Sequence, residues 1–430
     1  MRRFYLTTFL IGLGFFTMGL MDPLYDTYVP FFLRTYIEKD GIIGAIMGLD
    51  NLFALALIPI VSAWSDRTRT PIGRRMPFIL VTLPLTAVFF ALLPYATARS
   101  LVFLILVIFF LNVFKQSARG PVVALMPDSV PGEYRSEANG VINTMGGIAA
   151  IVGTVGLARL MDLDTVLPIL GPTKGRLPFP VAGFLVILAT VLLFAFVREK
   201  GYVKDTGEKR IPIGKSLKMI LAGKERSALF ILISLFFWFL AYQGVLPWVG
   251  IYTMDYLEVS EGTAALSAGM VGIAYAIFAI PSGIVAHKIG RKKTIRISLF
   301  VQVILTVILY FHYPLTLKLG LPRTANLISF WVILFFFGIF WVSIITNSFP
   351  MLWQMANFGN MGIYTGLYYT FSQSAAIAAP IITGVVRDLT NDRSIFLAAA
   401  LFMLAAYLTM GFVKRGEAGE VSVAEEAASE

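Results

Sequence analysis

"SDRTRTPIGRRMP", residues 65–77, and "GIVAHKIGRKK", residues 283–293, are charged stretches in a chain of 430 residues built mostly from long apolar runs. Both fall between a second and a third apolar run, and both carry a glycine followed by two cations: Gly73, Arg74 and Arg75, then Gly290, Arg291 and Lys292. The same loop at the same place in each half of a chain is the trace of a repeat. A repeated apolar chain of this kind reads as two matched helical bundles in a membrane.

Working outward, the apolar runs set the class. Soluble domains are about 25% charged, whereas this chain is 14% charged and 57% hydrophobic, with mean hydropathy +0.79. At roughly 20 residues per crossing of a ~30 Å core, its length allows about a dozen helices, and barrel strands would be shorter and alternating. The expected fold is an all-α membrane protein of twelve transmembrane helices in two pseudo-symmetric six-helix bundles. Helices are expected near 5–33, 42–64, 78–97, 100–127, 137–160 and 179–197, then near 227–254, 263–286, 294–313, 326–350, 361–386 and 393–413. The organisation follows: an N-terminal bundle over 1–197, a basic linker over 198–226, a C-terminal bundle over 227–413 and an acidic tail, disordered by composition, over 414–430.

Charge placement orients the chain. The net charge of +10 comes from cations concentrated in alternate loops, which the positive-inside rule reads as a multi-pass protein of the cell (inner) membrane with both termini cytoplasmic. That placement points to a lipid bilayer and not to nucleic acid. No cysteine and two histidines argue against a metal or nucleophile site, and no phosphate-cradling glycine loop is present. Neither an enzyme nor a cofactor is expected.

Two motifs carry a resemblance. The spacing G-x-x-x-[DH]-x-x-G-[RK]-[RK], met from Gly283 to Lys292, resembles the loop signature of the major facilitator superfamily. In the first half Asp66 and Gly73 stand four residues further apart, which is similar to the form in the sucrose/proton symporters and their bacterial relatives of the glycoside, pentoside and hexuronide cation symporter group. "ARGPVVALMPDSVPGEYRSEANGVIN", residues 118–143, is similar to the end of helix four and the start of helix five in those relatives, through Gly120, Pro121, Ala124, Leu125, Asp128, Arg135, Ala138 and Asn139. Where plant-type members place an arginine before that Ala-Leu, this chain has Val123, and Arg119 one turn earlier is the substitute.

Ionisable groups inside the expected helices are the next signal, because each costs at least ~2.5–3.5 kcal/mol at mid-bilayer. They are Asp22 and Asp26 in helix one, Asp50 in helix two, and Lys115 and Arg119 in helix four. Asp22 and Asp26 share a helix face, as do Lys115 and Arg119. Three acids against two bases leave one carboxylate without a permanent partner, which suits proton coupling; a static network is the plainer alternative. The second half offers neutral groups suited to a sugar, whose faces are apolar and whose hydroxyls need donors and acceptors. Tyr242, Gln243, Trp341, Asn347, Tyr369 and Gln373, with Asn51 and Asn143 from the first half, are the expected substrate contacts. Asp66, Gly73, Arg74, Arg75, Asp128 and Arg135 are either a topological anchor or a gating latch.

The expected function is secondary active transport of a sugar, an oligosaccharide or glycoside, coupled to protons by alternating access. A sodium-coupled sugar symporter or a drug or metabolite exporter of the same fold is the alternative. A monomer suffices, with the sugar, protons and lipid as partners.

Overall fold

The computed structural model describes residues 2–129, 135–168, 170–199, 226–353, 355 and 361–416. Apart from its first two residues and its last, the expected linker over 198–226 lies outside the described residues, as does the acidic stretch from 417 onward. Among the described residues, twelve helices are long and apolar enough to cross a membrane. They are α1 (Arg2–Arg34), α2 (Asp40–Arg67), α3 (Met76–Thr97), α4 (Leu101–Ser129), α5 (Arg135–Ile151) and α6 (Pro178–Phe196), then α7 (Ser227–Leu257), α8 (Glu261–Ile289), α9 (Arg291–Lys318), α10 (Arg323–Trp353), α11 (Met361–Leu389) and α12 (Ser394–Gly411). A helix satisfies its own backbone in lipid, so the apolar runs have one solution. Most helices run past the apolar windows because their polar ends continue the backbone ladder into the interface.

α5 does not end as a plain helix. It passes into a π-helical segment, Val152–Leu157, and a 3-10 turn, Ala158–Met161. The amide of Ala158 bonds the carbonyl of Gly153 there, the wider ring of a π turn. A two-strand hairpin, β1 (Val166–Leu167) with β2 (Gly171–Pro172), then leads to α6.

Two compact units form. The first comprises Met1–Glu38, Leu49–Gly207 and Val249–Gly269. Inside it α1 packs on α5, and α3 on α4 and α6. Small residues set these distances: a Cβ on Gly153 would lie 2.8 Å from the carbonyl oxygen of Leu20, so the two backbones touch directly. Phe179 of α6 fills the centre, with Tyr28, Phe32 and Phe90 rings 6.0, 5.3 and 5.2 Å away.

The second unit comprises Lys39–Gly48, Glu208–Trp248 and Met270–Glu430. α9 packs against α10 and α12. A Cβ on Gly338 of α10 would lie 2.7 Å from the carbonyl of Val271 in α8. Each unit thus takes in a short piece of the other half: the start of α2 in one case, the α7–α8 turn in the other.

Candidate functional site

In the first unit the ionisable residues expected from sequence converge. α1 turns Asp22, Tyr25 and Asp26 to one side, and α4 turns Asn112, Lys115, Gln116 and Arg119 to one side, each set at helical spacing. α2 adds Asp50. The Lys115 ammonium lies 2.9 Å from Asp22 Oδ1 and 3.1 Å from Asp50 Oδ2, so one cation bridges two carboxylates on different helices. Lys115 is buried, and its Nζ also sits 4.7 Å from the centre of the Tyr25 ring. Gln116 Nε2 donates to Asp50 Oδ1 at 2.5 Å, and Asn112 Nδ2 donates to the Tyr25 hydroxyl at 2.8 Å. Charged groups at this depth hold only with such partners, and removing one leaves its mates unpaired at a cost of about 3–5 kcal/mol.

The cluster is not saturated. Among the described residues Asp26 and Arg119, both half-buried, make no hydrogen bond or ion pair, while Lys115 is fully engaged. The arrangement holds a carboxylate that a proton or small cation can neutralise without breaking another contact. Tyr25, Asn112 and Gln116 were absent from the sequence-based set. Their signal was available in the amides three residues before and one after Lys115, inside an otherwise apolar run. Asn51 is half-buried beside Asp50, and the side chain of Asn143 lies outside the described residues.

In the second unit the expected substrate contacts form an aromatic cluster. Tyr242 of α7 stacks on Trp341 of α10, ring centres 4.1 Å apart and nearly parallel at 9°, with Phe239 edge-on to Trp341 at 5.6 Å. Tyr368 of α11 meets Phe349 at 4.3 Å and shares a 3.2 Å hydroxyl contact with Ser348. Trp341 is buried behind Tyr242, whereas Tyr369 is 55% exposed. Asn347 Nδ2 donates to the Ser343 carbonyl of its own helix at 2.8 Å. Gln243 is half-buried, and Gln373 Oε1 is buried with no hydrogen-bond partner among the described residues. The cluster offers ring faces and amides, and its residues carry no formal charge.

The two charged loops are built differently. In the first, Gly73 turns at φ 108°, and Arg74 grips Asp128 with Nε at 2.9 Å and Nη2 at 2.6 Å. Arg75 Nε reaches the same carboxylate at 2.9 Å, while its Nη1 bonds Ser65 Oγ at 2.5 Å. Glu199, just past α6, accepts the Arg75 backbone N–H at 2.9 Å. It was not among the sequence-based set, because it stood inside the stretch read as linker. In the second loop Gly290 turns at φ 96°, but Arg291 and Lys292 meet main-chain carbonyls: Pro350 at 3.4 Å for one, Gly411 at 3.3 Å and Val413 for the other. The side chains of Asp66 and Arg135 lie outside the described residues.

A family model described as Major Facilitator Superfamily matches residues 4–380 and, in a second match, 253–428. Among solved structures the chain is similar to the D-xylose–proton symporter, at 14% identity and TM-score 0.69, covering 96% of this chain and 98% of that one. It is similar to the nucleoside transporter NupG at 12% identity and TM-score 0.70, covering 94% and 100%. A bacterial homolog of the human lysosomal transporter Spinster, in an inward-facing and unoccupied conformation, aligns at 13% identity and TM-score 0.69 over 95% of each chain. At these identities the likeness is one of fold. No curated protein matches the sequence.

Proposed function

The chain belongs to the Major Facilitator Superfamily, a family of transporters and not of enzymes, and we propose that it moves a sugar, an oligosaccharide or glycoside, together with a proton by alternating access. Within the family we place it with the sucrose/proton symporters and their bacterial relatives, on the motifs at 65–77 and 118–143. It is a multi-pass membrane protein; cytoplasmic termini, an inner-membrane location and a monomeric state are part of the proposal.

The observation that carries the reading is the Lys115 bridge between Asp22 and Asp50, with Asp26 one turn from Asp22 and unbonded among the described residues. Three carboxylates face two cations, so the cluster is one proton short of neutral. Loading Asp26 with a proton removes that surplus, and a buried cluster without net charge costs less to hold inside the membrane than a charged one. Arg119, without a bonded partner among the described residues, is the cation positioned to answer the change. The aromatic and amide cluster supports the sugar: Tyr242, Tyr369, Gln243 and Gln373 are the proposed contacts, with Trp341 setting the position of Tyr242. Asp66, Gly73, Arg74, Arg75, Asp128 and Arg135 are proposed as the gating loop.

The test is uptake of radiolabelled sucrose and other disaccharides into proteoliposomes under an imposed pH gradient, acid outside. Accumulation that collapses with a protonophore is expected. Accumulation that follows a sodium gradient and ignores the protonophore would replace the proton with sodium, and uptake of none of the sugars would remove the sugar reading.

A further inference from the structure

The charged loop of the second half is followed by two cations that the loop signature does not account for. After Gly290, Arg291 and Lys292 come Lys293 and Arg296; at the equivalent places after Gly73, Arg74 and Arg75 the first half has Met76 and Ile79, both buried. The counter-charges differ as well. In the first unit Asp128 and Glu199 lie beside the loop arginines. In the second, α9 begins and α12 ends without an acid, since residues 286–300 and 401–416 contain none.

Lys292 spends its ammonium on the carbonyls of Gly411 and Val413, which ties the end of α12 to the start of α9. Lys293 and Arg296, one turn apart on the same side of α9, make no hydrogen bond or ion pair among the described residues. Arg296 is the more informative of the two. It stands about 7.5 Å along the helix from Arg291, half-buried, in the first turns of a membrane span. Its guanidinium lies 4.8 Å from the centre of the Tyr407 ring on α12, and its Nε is buried with no hydrogen-bond partner. A cation that only marked the side of the membrane would extend its head toward water. This one lies against a ring face with a donor unsatisfied, an arrangement that is costly until an anion completes it.

Deeper along the same helices the surface turns apolar. Phe300, one turn beyond Arg296, has its ring 5.9 Å from that of Tyr407 and is 52% exposed. Ile304 of α9, with Leu404 and Leu408 of α12, is exposed as well. Two cations and a ring therefore stand at the head of an apolar face. A molecule with an anionic head and long apolar chains fits both parts, and the bilayer is made of such molecules. The guanidinium fork matches two oxygens of a phosphodiester, and the Lys293 ammonium adds a second, more flexible contact. With two cations and no acid, the preferred headgroup is one whose phosphate is not balanced by an amine of its own.

We propose that Arg296, Lys293 and Tyr407 form a binding site for an anionic phospholipid of the phosphatidylglycerol class, in the leaflet on the side of the charged loops, with its acyl chains over Phe300 and Leu404. The site belongs to the second unit alone. It rests on the membrane fold and on neither the cargo nor the coupling ion.

The test is titration of the delipidated protein in detergent with dioleoyl phosphatidylglycerol or dioleoyl phosphatidylcholine, read by native mass spectrometry. Wild type is expected to hold the first phosphatidylglycerol about tenfold more tightly than phosphatidylcholine. Arg296→Met keeps an apolar stem against Tyr407 and loses the fork, so it is expected to weaken phosphatidylglycerol about tenfold and to remove most of the selectivity. Arg296→Lys keeps the charge without the fork, is expected to weaken it about threefold, and serves where Arg296→Met does not fold. Lys288→Gln removes a charge from the same end of the molecule, at the exposed end of α8, and is expected to change the constant by less than about twofold. Equal binding of the two lipids by wild type, undiminished selectivity in the folded Arg296 variants, or an equal loss in Lys288→Gln would overturn the proposal.

Discussion

The charged cluster of the first unit and the aromatic cluster of the second are both built from side chains of transmembrane helices, yet they use opposite physics. In the first, Lys115, Asp22 and Asp50 are held by strong, directional contacts that fail together if one is lost. In the second, Tyr242, Trp341 and Phe239 are held by ring packing, which degrades by degrees. On the proposed function this is a division of labour, with the half with charges carrying the ion and the half with rings and amides carrying the sugar. An ion needs a site with two sharply different states, whereas a sugar needs area and several modest hydrogen bonds.

The largest effect that could break this contrast is at Lys115. Lys115→Met leaves Asp22 and Asp50 unpaired and is expected to destabilise the protein by about 3–5 kcal/mol and abolish uptake, read by thermal unfolding in detergent and by the liposome assay. Stable, active Lys115→Met would mean that the bridge is dispensable. Next, Asp26→Asn is expected to leave stability within about 0.5 kcal/mol of wild type, since it breaks no contact, while removing the response to an imposed pH gradient. Sugar exchange across the membrane without a gradient is expected to persist in that variant. Tyr242→Ala is expected to raise KM for the sugar about tenfold, the loss of about 1.4 kcal/mol, with the pH response intact; a lost pH response would blur the division. Smallest of all, Asn347→Ser is expected to change KM about twofold or less, because the Asn347 amide already bonds its own helix.

Much of this was legible in the sequence, for physical reasons. Apolar runs of membrane length have only one way to satisfy their backbone, so twelve helices followed from composition. Asp22, Asp26, Asp50, Lys115 and Arg119 stood out because charge in an apolar run is costly, and Lys115 does meet two of the three acids. Less visible were groups whose importance depends on what faces them. Gln116 and Asn112 are ordinary amides until Asp50 and Tyr25 are opposite. Glu199 looked like part of a charged linker until the turn at Gly73 brought Arg74 and Arg75 beside it. The π segment at Val152–Leu157 left no signal beyond its two glycines.

The central claim, that sugar and proton move together through Asp26, meets its most direct test in a lightly buffered suspension of proteoliposomes with no imposed gradient. Adding sucrose or another transported disaccharide outside should make the external pH rise as protons enter with the sugar, and Asp26→Asn should abolish that rise while labelled sugar still exchanges. A flat pH trace during wild-type sugar entry, or an undiminished rise in Asp26→Asn, would contradict the account.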